Sequence, residues 1–185
     1  MKLSLFKSAL AVLIFGAMIN LAGAVDPDDW DTKPPEPTPT SKKCADGEAW
    51  DEQSRKCVKV DAAVFDDPER LQAARELAYA GRFGAAVKAL DAIADQNDTR
   101  VLTYRGFLAR KSGDWKAALI YYDRALSADP GNLSARSYLG MGLAERGDIE
   151  AARNQLAEIR SRGGRETWAE RALLMTLRSG GAAFY

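Results

Sequence analysis

The side chains able to do chemistry are few in this chain. Its 185 residues include no histidine, two cysteines, and 26 Lys or Arg against 26 Asp or Glu. Without imidazole, the usual base beside a Ser or Cys nucleophile and the commonest zinc ligand are both missing. Paired carboxylates, Lys and Tyr remain. Asp51 and Glu52 lie together in a short loop, but nothing in the sequence sets a carboxylate pair in a buried cleft with split pKa values, as hydrolysis by two acids requires. Catalysis is therefore not expected, and no catalytic residue, cofactor or metal site is assigned. A formal net charge of +0 gives no reason to track phosphate, so nucleic acid is not an expected partner.

The cysteines are the clearest chemical feature. Cys44 and Cys57 enclose twelve residues, ADGEAWDEQSRK, and allow one intramolecular pair. Redox catalysis usually uses cysteines separated by two residues, so a structural disulfide is expected. Closing a loop of this size restricts the unfolded segment by roughly 3 kcal/mol. Gly47 supplies a turn and Cys57-Val58-Lys59-Val60 an alternating strand, which predicts a small hairpin over residues 44–60. It resembles short disulfide loops found beside repeat domains in some bacterial envelope proteins. Two roles stay open: a covalent staple, or a glycan or cell-wall contact in which an exposed Trp50 stacks on a sugar and Asp51 or Glu52 bonds its hydroxyls.

Elements on either side must position this loop. Residues 1–24 carry Lys2 and Lys7, an apolar run, and the ending Ala22-Gly23-Ala24. That is the pattern of a secretory signal peptide cleaved after Ala24. The alternative is a retained membrane anchor, although the apolar run is shorter than the roughly 20 residues of a spanning helix. The expected location is the periplasm of a bacterial envelope, or secretion, with no stable span after cleavage. Residues 25–43, VDPDDWDTKPPEPTPTSKK, are acidic and Pro-rich. They read as an extended, disordered spacer, or as a docking ligand for an aromatic groove.

The body repeats itself. Gly81-Arg82-Phe83, Gly113-Asp114-Trp115 and Gly147-Asp148-Ile149 align at steps of 113−81=32 and 147−113=34. The same steps carry Ala86 onto Ala118 and Ala152, Leu90 onto Tyr122 and Leu156, and Ala74 onto Gly106 and Gly140. After each repeated glycine, apolar residues recur every three or four positions, as one helical stripe does. Gly113 suits a left-handed helix ending, Asp114 a cap for the next helix, and Pro130 a stop. Each unit is predicted to be an antiparallel helical hairpin of about 34 residues that stacks on its copies. The units span about 67–98, 99–132 and 133–166. A capping helix over 165–178 carries Trp168, Ala172 and Met175, and 179–185 is a tail whose Phe184-Tyr185 ending is either frayed or a recognition motif.

The middle unit, with Gly106, Gly113, Asp114, Ala118, Tyr122, Ala125, Asp129 and Pro130, resembles the tetratricopeptide repeat family. The first unit departs from the pattern, with Ala74 for the usual Gly and Asp98 for Pro, and the third lacks the terminal Pro. The resemblance implies an all-α, helix-turn-helix solenoid over 61–178, and a scaffold that binds an extended peptide or a partner's helix on its concave face. On the first helices, Leu71, Arg75, Arg100, Thr103, Phe107, Arg110, Lys111, Ser134, Ser137 and Met141 are expected to line that groove. Its arginines favour an acidic or carboxylate-ended segment over a floor of Phe107 and Met141, although Glu145 dilutes the charge. Thr103 and Phe107 stand where the carboxylate clamp of chaperone-binding members would be, so that particular activity is not implied. The oligomeric state is left open.

Overall fold

Helix punctuation is written locally along the chain. The computed structural model describes residues 36–182. Helices α2 (Asp67–Tyr79) and α3 (Phe83–Asp91), α4 (Thr99–Lys111) and α5 (Trp115–Ala128), and α6 (Leu133–Glu145) and α7 (Ile149–Ser161) form three consecutive hairpins. Helix α8 (Trp168–Arg178) packs on α6 and α7. Asp66 and Glu69 form a reciprocal capping box on α2, and Asp98, Asp114, Asn132, Asp148 and Thr167 cap later helices through their side chains. Each such cap satisfies an otherwise orphaned amide.

Gly81, Gly113 and Gly147 have φ of 74°, 87° and 84°. After each, an amide reaches back to close the preceding helix, as Asp114 N does to the Ala109 carbonyl at 2.9 Å. Only glycine adopts this left-handed turn without a Cβ penalty. Inside the hairpins, Ala86, Ala118 and Ala152 are fully buried, with Leu90, Tyr122 and Ile159 among the larger core side chains. The expected helical repeat stack and disulfide hairpin are thus both present.

The N-terminal residues differ from a spacer leading to an independent staple. Thr38 caps a short helix, α1 (Pro39–Lys43), and Thr40 is buried. A proline directly after a Thr cap sits at the first helical position, where its missing N–H is harmless. Residues 25–35 of the Pro-rich segment lie outside the described residues. Cys44 is bonded to Cys57, and strands β1 (Glu48–Asp51) and β2 (Lys56–Lys59) pair antiparallel, with Trp50 opposite Cys57.

This unit covers the first hairpin. Arg82 donates to Asp46 and to the carbonyls of Thr40 and Ser41, Arg70 donates to the carbonyls of Val60 and Ala62, and Ala49, Val60 and Phe65 join the helical core. It therefore serves as the N-terminal cap that a solenoid needs. A Cys44→Ala/Cys57→Ala chain should lose about 3 kcal/mol in urea unfolding. An unchanged midpoint would show that the cap holds without its crosslink.

Thr38 Oγ1 also donates to the Glu76 carboxylate on α2. Burial is the largest influence on Glu76 and holds its carboxyl above the ordinary 4.5, against hydrogen bonds from Thr38 and Gln72 and the charge of Arg75. The folded chain keeps this proton where the unfolded chain has released it. Its contribution to stability is therefore present at low pH and lost as pH rises through the carboxylate range. Thermal melts from about pH 4 to about pH 7 should show Glu76→Gln gaining on the parent chain as pH rises. A gap that does not move with pH would refute this assignment.

Candidate functional site

The first helices α2, α4 and α6 line the inside of the stack, and large side chains occupy that side. Tyr79 stacks on Phe107 with centroids 5.7 Å apart, Phe107 meets Tyr138 edge-on at 5.1 Å, and Tyr138 meets Tyr104 at 6.0 Å. The Tyr79 and Tyr138 hydroxyls are 2.7 Å apart, and Tyr138 lies 3.4 Å from the Tyr104 hydroxyl. Trp168 Nε1 donates to the Tyr79 hydroxyl oxygen at 3.3 Å, so the start of α8 reaches the end of α2 across the inner face. Burial, above all, pushes the Tyr104 phenol well above its ordinary range. It is a neutral packing group with a hydroxyl to share.

This packing changes the expected groove. Phe107, Met141, Thr103 and Ser137 are each 1% exposed, and Leu71 is also buried. Thr103 Oγ1 donates to the Thr99 carbonyl and accepts from Asn132, while Ser137 Oγ donates to the Ala169 carbonyl at 2.8 Å. These four side chains join the helices to one another and offer a ligand no open surface. First-helix residues that face away from their own hairpin partner meet the neighbouring first helices instead, because the inner side is tightly packed.

The cations divide in the same way. Arg75 is buried near Tyr104, whose phenol feels its charge. Arg110 is buried with its side chain only 3% exposed. It donates to Glu145 at 2.5 Å and lies 5.5 Å from the Phe107 ring centre. Arg100 is half-exposed and binds Asp98, the cap of its own helix, through Nε and Nη2. Burial tends to raise Asp98, but the hydrogen bonds and charge of Arg100 outweigh it and hold the carboxyl below its usual range. Lys111 and Ser134 are also half-exposed. Burial, aided by the charge of Arg110, pulls the Lys111 ammonium below its ordinary value.

Of the expected groove residues, Arg100, Lys111 and Ser134 stay half-exposed, as do Tyr79 and Trp168 of the aromatic cluster, and these form the accessible rim. Tyr79, Tyr104, Tyr138 and Trp168 were not among the sequence candidates. A signal for two of them was present, since Tyr104 and Tyr138 repeat at 138−104=34, the step that carries Phe107 onto Met141.

In the hairpin, Trp50 is half-buried, its amide bonds Thr40 Oγ1, and Lys43 Nζ stands 5.5 Å over its ring. Asp51 accepts amide hydrogen bonds from Ser54 and Gln53, and the Ser54 hydroxyl first, then its amide, hold the carboxyl below the ordinary value. That carboxylate fastens its own turn. Among the described residues, no cluster of acids and cysteines could hold a metal ion, and no helix is long and apolar enough to cross a membrane.

Two family models, each described as a tetratricopeptide repeat, match residues 71–133 and 109–170. Neither the curated proteins nor the solved structures contain a match to the chain.

Proposed function

The chain belongs to the tetratricopeptide repeat family, whose matches run from residue 71 to residue 170, more than half its length, and from that membership we propose an exported, non-catalytic scaffold that holds a protein partner. Repeats of this family generally mediate protein–protein interaction and scaffolding and are generally not catalytic. The observation that carries the reading is three consecutive hairpins stacked over the matched residues. Because the inner face is filled with the chain's own aromatics, the partner segment contacts its rim. An acidic or carboxylate-ended segment suits Arg100 and Lys111, with Tyr79 and Trp168 as apolar contacts. Export is supported by the leader pattern in residues 1–24 and by the disulfide, which persists in oxidising compartments.

The test has two arms. Intact mass of the periplasmic or secreted chain should give Val25 as its first residue; a chain retained in the cytoplasm would remove the export half of the reading. In-cell crosslinking should then lose about tenfold of its partner adducts when Arg100→Glu and Lys111→Glu are combined, an effect of the size two exposed charge reversals produce. Undiminished adducts at an unchanged melting temperature would rule out the rim. Arg110 is unsuitable for this experiment, since reversing a buried cation would report on folding.

A further inference from the structure

The last hairpin and α8 leave a second surface that the repeat signature does not address. Between α7 and α8 runs an open cleft of about 710 Å³. Leu174 and Leu177 form part of its floor, packed against the core but only partly buried, and Arg153, Arg160, Arg165 and Arg178 stand around it. Arg160 is held by Glu170 at 2.6 Å. Among the described residues, Arg153, Arg165 and Arg178 take part in no salt bridge. Three guanidinium groups outside the ion pairs, of which Arg165 also feels the Glu170 carboxylate, stand over leucine and make a surface for an acidic segment with an apolar anchor, because each Arg offers a fork of donors to carboxylate and a flat face to an aromatic ring.

The chain carries such a segment. Asp26-Pro27-Asp28-Asp29-Trp30-Asp31 sets four carboxylates around one large aromatic residue, with no cation among them. It lies beyond the described residues, a few positions ahead of Thr38, which is fastened to α2 at the first hairpin. The cleft lies on the last hairpin. We infer that residues 26–31 of one copy dock in the α7–α8 cleft of a second copy, with Trp30 on the leucine floor and the aspartates facing Arg153, Arg165 and Arg178. Arm and cleft are different patches of the chain, so two copies can satisfy the contact reciprocally, each arm lying in the other's cleft. This goes beyond the rim reading: it names a second surface and its occupant, and it needs no other protein.

The test uses the purified full chain with a photoreactive benzoylphenylalanine replacing Trp30. Irradiation should give covalent dimers whose linked peptides fall within residues 153–178. The yield should fall about tenfold when Asp28→Asn, Asp29→Asn and Asp31→Asn are combined, and with rising salt, as rim charge pairs are screened. Those three positions precede the stacked helices in the sequence, and an unchanged melting temperature of the triple variant separates a lost contact from misfolding. Arg153→Glu with Arg178→Glu should reproduce it at an unchanged melting temperature. Links within a single chain, links elsewhere on the surface, or a yield indifferent to the Asn changes would each overturn the proposal. With no partner present, such a result leaves the rim reading to its own test.

Discussion

A Gly106→Val chain should unfold about 3 kcal/mol more easily than its parent, with a melting temperature lower by about 10 °C. A Cβ built at Gly106 would lie 2.5 and 2.7 Å from two ring carbons of Tyr122. Tyr122 is fully buried and cannot swing aside. Valine adds two further methyl groups to that overlap. Alanine at the same place should be milder, because its better helix propensity returns about 1 kcal/mol. Shortening the obstruction should rescue the variant: Gly106→Val with Tyr122→Leu should be more stable than the sum of the single changes, by at least about 1 kcal/mol in a double-mutant cycle. Gly84 is the control, as a Cβ there meets nothing within 4 Å and Gly84→Ala should be neutral or slightly stabilising. Additive effects at positions 106 and 122 would mean that this contact does not set the spacing of α4 and α5.

Glu145→Ala should destabilise the chain by about 2–3 kcal/mol in urea unfolding, whereas Arg110→Met should be close to neutral. Glu145 is the carboxylate partner of Arg110, and the remaining guanidinium nitrogens are buried with only the neutral Tyr122 hydroxyl as a polar neighbour, at less than ideal hydrogen-bond geometry. Removing Glu145 leaves a buried cation with its charge unanswered. Removing Arg110 takes away the charge itself, and methionine fills much of the same volume. The expected cost of Glu145→Ala sits at the low end for broken buried pairs because the Glu145 side chain is 24% exposed and partly screened. In the combined variant, the loss should not exceed that of Arg110→Met by more than about 0.5 kcal/mol. If Arg110→Met proved as damaging as Glu145→Ala, the pair would be a net source of stability and not an obligation created by burying the arginine.

These two sites show why the fold was more legible than the site. A helix stop at Gly113, a cap at Asp114 and a stripe of Ala118, Tyr122 and Ala125 act within a few residues of one another, so each leaves its own mark in the sequence. The close approach at Gly106 was legible for the same reason: its partner lies in the same hairpin. Which face of a first helix stays open depends on how far successive hairpins bend toward one another. That is set by Tyr79, Phe107, Tyr138 and Trp168, contributed by four different helices. No spacing rule joins Tyr79 to Trp168, 89 positions away. The same limit applies to the disulfide hairpin. Its closure follows from having only two cysteines, but its role as a cap depends on Arg82 meeting Asp46, 36 positions back. By contrast, the partner of Arg100 was within sight, two residues away in Asp98.

The link between Trp168 and Tyr79 has a consequence for how the molecule comes apart. In an open stack, each hairpin leans only on its neighbours, so end units can fray while the middle holds, and stability is close to a sum over adjacent pairs. Here the last helix is fastened to the first hairpin as well as to α6 and α7, and the disulfide hairpin covers the remaining end. Losing either terminus disturbs the other. The single hydrogen bond between Trp168 and Tyr79 couples the opening of the last helix to the first hairpin, which a stack of neighbour-only contacts would not do.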